Sequence, residues 1–193
     1  MANMEEQCIM AASQVCPGYG GMELAVVHAI RIPSLCDMNG AYLVATDYGQ
    51  GDRTDFIMSP RAFSKLGRNK GASETLKKYG TVDIEYNRVP CTYTSNVLFH
   101  IKESSSNPGY FAVVILNVNG ARDITAVEMW QRRQQRWEGL RRSYGAVFDF
   151  ANPPTGEILL RFQLGYNNWM QSKIPIPANW KPGATYDTKL KIY

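Results

Sequence analysis

Residues 96–130, NVLFHIKESSSNPGYFAVVILNVNGARDITAVEMW, decide the fold, because their apolar residues recur with a period of two. Val97, Phe99 and Ile101 share one side of an extended segment, and the runs 110–118 and 124–130 supply two more. Asn107-Pro108-Gly109 and Asn119-Gly120 are the turns between them. The pattern continues toward the carboxyl end in 146–150, in Ile158, Leu160, Phe162 and Leu164, and in Tyr186, Thr188, Leu190 and Ile192. Asn152-Pro153-Pro154 and Lys181-Pro182-Gly183 separate these runs. Short, evenly spaced strands over about 100 residues predict a β-sandwich.

Toward the amino end the pattern changes. Thr92, Thr94, Ser95 and Asn96 form a polar break, which places a domain boundary near 92–96. Before it, Ser59 as N-cap, Pro60 at the first helical position and the run 61–66 predict a short helix, with Gly67 as the left-handed residue that closes it. A second short helix is predicted over 74–79, ended by Gly80. Thr81 to Val89 then reads as a half-buried strand, with Val82, Ile84 and Tyr86 on one face. All four cysteines (Cys8, Cys16, Cys36, Cys91) precede the break and all four tryptophans (Trp130, Trp137, Trp169, Trp180) follow it, which again points to two domains.

The 193 residues are 45% hydrophobic and 20% charged, enough to bury a core and unlike a disordered chain. Apolar runs such as 110–116 fall far short of the roughly 20 residues that span a bilayer, so a soluble chain and no membrane partner are expected. A net charge of +4 is mild for a nucleic-acid binder and equally compatible with an anionic matrix. Only His28 and His100 are present, and no cysteine pair has C-x-x-C spacing, so a metal is not expected. The amino end, MANMEEQCIM, carries acids where a signal peptide carries bases and has no apolar run, so it does not read as a signal peptide.

Five features are candidates for chemistry. Residues 45–59, ATDYGQGDRTDFIMS, gather Asp47, Asp52 and Asp55 around two glycines. Cleavage of a glycosidic bond needs one carboxylic acid for the leaving oxygen and one carboxylate as base or nucleophile, and only this loop offers such a pair. The alternative is that these aspartates cap turns, where Asp is favoured for backbone reasons alone. The two histidines read as structural or surface residues, because neither has a patterned nucleophile beside it. Gly49-Gln50-Gly51 and Gly18-Tyr19-Gly20-Gly21 lack the lysine and the strand context of a phosphate loop. Residues 131–142, QRRQQRWEGLRR, could grip a nucleic-acid backbone or touch acidic polysaccharide, but they read first as a solvated hairpin with Trp137 packed inward. A polysaccharide offers sugar rings whose apolar faces stack on exposed aromatics. Adjacent strand residues point to opposite faces, so one of Tyr110 and Phe111 faces away from the core, and Tyr144 beside Gly145 is a further candidate.

Taken together, 46–66 (TDYGQGDRTDFIMSPRAFSKL), 80–91 (GTVDIEYNRVPC) and 109–158 resemble the expansin family, most closely its plant expansin-like B branch. The resemblance runs from about Ile32 to Tyr193 and includes the closing motifs Asn-Trp-Lys-Pro-Gly and Tyr-Asp-Thr. It implies a mainly β protein: an atypical segment over 1–31, a partial double-psi β-barrel related to family 45 glycoside hydrolases over 32–95, and an immunoglobulin-like, carbohydrate-binding sandwich over 96–193. It also implies a non-enzymatic wall protein, extracellular and monomeric, that needs no cofactor. Such a protein pries apart cellulose and hemicellulose chains by exchanging contacts, with no nucleic acid or membrane partner. Residue by residue, Asp47 falls on the Thr-Asp acid of the barrel groove, and Tyr110, Phe111 and Tyr144 fall on the family's linear aromatic platform.

Two departures accompany the resemblance. The hydrolase-like signature His-Phe-Asp-Leu-Ser aligns with 55–59, which puts Ile57 at its key acid. An aliphatic chain exchanges no proton, so Asp55 is at most a shifted substitute and catalysis is not expected. The rival readings are a weak endoglucanase using Asp47 and Asp55, or an inert isoform with an altered or truncated start. Residues 1–31 lack the family's groove strand and cysteine cluster, so Cys36 and Cys91 are expected either free or mispaired with Cys8 or Cys16.

Overall fold

The computed structural model describes residues 24–29, 32, 34–44 and 57–192. They fall into two compact units, the first ending at Pro90 and the second beginning at Cys91. Asp47 and Asp55 lie outside the described residues, as do Cys8 and Cys16.

In the first unit, β1 (Leu24–Ala29) is the centre of a three-stranded antiparallel sheet, flanked by β2 (Ala41–Val44) and β3 (Ile84–Val89). Two helices lie between β2 and β3 in sequence. The first, α1 (Pro60–Ser64), starts as predicted: the Ser59 hydroxyl accepts the Ala62 N–H at 3.2 Å. Its end differs from the expectation, because Gly67 is not in the left-handed region. A side chain at Gly67 would put its Cβ 2.6 Å from the backbone nitrogen of Ser73, so close approach to the next helix is what requires glycine here. That helix, α2 (Lys70–Tyr79), begins four residues earlier than the sequence suggests. Asn69 caps it by accepting the Ala72 N–H at 2.9 Å, and Gly80, at φ 70°, closes it. Ala41, Leu43, Met58, Phe63, Leu66, Leu76 and Val82 form its core, and Tyr42, between Ala41 and Leu43 on β2, is exposed. Cys36 is buried there as a free thiol, its pKa raised by burial. Among the described residues no helix is long and apolar enough to cross a membrane.

The second unit is a sandwich of two antiparallel sheets. The strand β4 (Leu98–Ile101) opens a series that continues through β5 (Tyr110–Leu116), β6 (Ile124–Gln131), β7 (Arg136–Gly139), β8 (Arg141–Tyr144), β9 (Val147–Ala151), β10 (Leu160–Leu164), β11 (Trp169–Gln171) and β12 (Thr185–Asp187). One sheet runs β12-β4-β5-β9-β8, the other β11-β10-β6-β7. The predicted alternation puts Phe99, Ile101, Val113, Ile115 and Phe148 inward from the first sheet, and Val127, Met129, Leu160 and Phe162 inward from the second. Phe99 and Phe162 meet edge to face across the gap at 6.5 Å. The last predicted strand is shorter than its pattern, because Lys189, at φ 55°, breaks the alternation.

The turn after β5 pins the ends of this unit. The Asn119 side chain accepts the Tyr93 N–H and donates to the carbonyls of Tyr93 (3.1 Å) and Ile192 (2.7 Å). Asn117, at φ 61° and buried, donates to Ser95 Oγ and to the Asn96 carbonyl. The arginine-rich stretch is indeed a hairpin, β6–β7, but Trp137 does not pack inward. It pairs with Trp130, and paired residues share a face; Met129 next door is in the core, so both rings lie on the outer side.

Candidate functional site

The outer face of the five-stranded sheet is defined by register. Arg141 on β8 stands opposite Asp149 on β9, which stands opposite Ala112 on β5. One rung along, Tyr144, Val147 and Val114 are aligned, and Tyr110 lies opposite Ala151 at the far end. Ala112, Val114, Ala146 and Val147 form a small apolar cluster of their own, with Tyr110 packed against it.

Tyr110 and Tyr144 therefore sit on the same face with β9 between their strands. They are offset by roughly 13 Å along the strands and roughly 10 Å across them. Tyr144 is 51% exposed, the most open aromatic residue on this face. Tyr110 is half-buried and tethered, its hydroxyl donating to Asp149 Oδ2 at 2.8 Å. Arg141 grips the same carboxylate with two bonds, Nε to Oδ1 at 3.0 Å and Nη2 to Oδ2 at 2.7 Å. The Arg141 hydrogen bonds, opposed by burial and reinforced by Tyr110, bring the Asp149 carboxyl down to about 2. Burial, and then the bond to Asp149, push the Tyr110 phenol up, so it stays protonated and donating.

The arrangement has no nucleophile–base pair. It has a fixed phenol ring, an open phenol ring, and an arginine whose side chain is 75% exposed. A guanidinium has five N–H donors, so after two go to Asp149 the rest remain for hydroxyls above the sheet.

Phe111 does not belong to this face. It is fully buried, paired with Phe150 and edge to face with Trp180 at 5.4 Å, so no ligand can stack on it. Alternation makes the choice: with Phe111 in the core, Tyr110 is the outward member of the pair. Sequence reasoning missed Asp149 and Arg141, the groups that fix Tyr110. An aspartate between Phe148 and Phe150 in an alternating strand was the available signal. Ile57, expected from the resemblance at the hydrolase-like acid, is 37% exposed.

Residues 97–177 match the protein family described as Expansin C-terminal domain. The chain is 47% identical over 167 residues to Expansin-like B1 of Arabidopsis thaliana, covering 84% of this chain and 66% of that protein. To Expansin-like B1 of Oryza sativa subsp. japonica it is 36% identical, covering 83% and 65%. The chain thus spans about two thirds of the length of the curated relatives it matches. Among solved structures, it superposes with a TM-score of 0.63 on a Clavibacter michiganensis expansin in complex with cellohexaose, at 19% identity, covering 89% of this chain and 74% of that one. That likeness makes the fold mainly β, of the class in which a double-psi barrel precedes an immunoglobulin-like sandwich.

Proposed function

This chain belongs to the expansin family, most like its expansin-like B branch, and from that premise we propose that it is a non-enzymatic, extracellular wall protein. Its sandwich, which the sequence places at 96–193 and which is compact from Cys91 on, holds cellulose or hemicellulose on the outer face of the five-stranded sheet; the unit that ends at Pro90 and includes β1 is the partial barrel domain. The observation that carries the reading is the exposed Tyr144 ring on the same face as the Tyr110 ring that Asp149 holds in place.

The action is an exchange of contacts. A glucan ring laid on Tyr144 covers its apolar C–H face, while Arg141 donates to the hydroxyls that chain–chain hydrogen bonds otherwise use. Each chain so held is one fewer packed against its neighbour. No bond is broken, and the position where the family's hydrolase relatives need an acid holds Ile57. The complex of the Clavibacter expansin with cellohexaose supports the ligand class. The protein is taken to act as a monomer.

The test is cellulose pull-down of the full chain. Tyr144→Ala is expected to weaken binding by about 1–3 kcal/mol, the scale of a ring stacked on another flat ligand. Unchanged binding in both Tyr144→Ala and Tyr110→Ala rejects the platform. Release of reducing ends that vanishes in Asp47→Asn would favour the endoglucanase reading instead.

A further inference from the structure

The opposite side of the sandwich carries a second aromatic strip. Trp169 on β11, Arg161 on β10, Glu128 and Trp130 on β6, and Trp137 on β7 all lie on the outer face of the four-stranded sheet. The Arg161 guanidinium carbon is 4.4 Å from the Trp137 ring centroid and 4.5 Å from that of Trp169, and Glu128 accepts its Nε at 2.6 Å. Trp130 leans on Trp137 at 5.3 Å. None of the three tryptophans belongs to the core, and each residue is half-buried. Gly139, opposite Glu128, leaves open space where a side chain would stand, so the strip has a low floor beside its rings.

Charge singles out the ligand. Arg161 is matched by Glu128, and the unmatched charge sits in the adjoining β6–β7 turn. There Arg132 pairs with Glu157 at 3.0 Å, Arg136 reaches Glu138 only at 4.0 Å, and Arg133 is exposed with no partner among the described residues. From Cys91 onward the chain has twelve Lys and Arg against seven Asp and Glu, whereas 1–90 has nine against ten. The basic surplus of the protein therefore belongs to the sandwich.

We propose that this face binds a carboxylate-bearing polysaccharide, a polymer of uronic acid residues. Its pyranose rings lie along Trp130 and Trp137, and its carboxylates are taken by Arg133 and the neighbouring arginines of the turn. A nucleic acid fits less well, because it carries its charge on a backbone set apart from the bases that stack, whereas a uronic acid carries its carboxylate on the same ring that would lie on the tryptophans. The site lies on the other sheet from Tyr144, so it does not rest on the platform described above.

The experiment is affinity electrophoresis of the full chain in gels containing polygalacturonate, hydroxyethyl cellulose or no polymer, at two salt concentrations. Trp137→Ala is expected to weaken polygalacturonate retardation about tenfold. Arg133→Glu should weaken it several-fold and flatten its salt dependence, and Tyr144→Ala should leave it unchanged. Thermal unfolding checks each variant; if Trp137→Ala does not fold, Arg133→Glu, on an exposed turn, decides. The proposal is overturned if wild type is not retarded by polygalacturonate, if both variants bind as wild type does, or if Tyr144→Ala abolishes binding. Tighter binding to a single-stranded oligonucleotide than to polygalacturonate also overturns it.

Discussion

Both outer faces of the sandwich hold an arginine–carboxylate pair across neighbouring strands, yet the two pairs are buried differently. On the five-stranded side the acid is sunk: Asp149 is 4% exposed, while Arg141 stands 75% exposed above it. On the four-stranded side both partners are partly shielded, and the guanidinium of Arg161 is held between two indole rings. The same ion pair thus serves two ends. Beneath Arg141, Asp149 anchors a tyrosine and leaves the cation free for a ligand; beside Glu128, the cation is spent on holding tryptophans in place.

Three substitutions sharpen that contrast. The largest effect is expected from Phe111→Ala, which removes the inward neighbour of Tyr110 and should cost about 3–5 kcal/mol of stability in urea unfolding. Binding per folded molecule should be retained, and binding lost in proportion to the ring instead would put Phe111 on the face. Next, Arg161→Ala removes the layer between Trp137 and Trp169 and leaves Glu128 without its ion-pair partner. A loss of about 2 kcal/mol in thermal unfolding is expected, together with a change in tryptophan fluorescence. The smallest is the acid limb. The Asp149 carboxyl is held at about 2 in the fold, below the usual carboxylate range. Its contribution is therefore complete above about pH 4 and is lost as pH falls toward 2, and because Arg141 is solvent-exposed it is about 1–2 kcal/mol. Asp149→Asn should flatten the stability profile over that window; an unchanged profile would mean that the pair is not formed in solution.

Period-two alternation made β4, β5, β6, β9 and β10 legible, because each buries one face in the same core. It could not reveal β7 or β8. Arg136-Trp137-Glu138-Gly139 and Arg141-Arg142-Ser143-Tyr144 contain no apolar alternation, and both are edge strands whose existence depends on a neighbour supplied from elsewhere in the chain. The misplacement of Trp137 has the same origin. Hydrophobicity sends an isolated indole inward, whereas pairing with Trp130 fixes its side, and pairing is not written in local sequence. Gly67 is a similar case, since the contact that forbids a side chain there is with the following helix. Of the site, alternation reduced Tyr110 and Phe111 to a choice of one, while Tyr144 was marked by its place beside Gly145 and by the family resemblance. The Asp149–Arg141 clasp needed the register of β8 on β9, which a bulge between Arg142 and Tyr144 shifts.

Asn119 has a consequence for how this unit can be rearranged. Its one side chain fastens Tyr93, where the sandwich begins, and Ile192, where it finishes, so entrance and exit lie side by side. A module with neighbouring ends can be spliced into a surface loop of a host, or have its old ends joined and new ones opened at an exposed hairpin, without pulling its sheets apart.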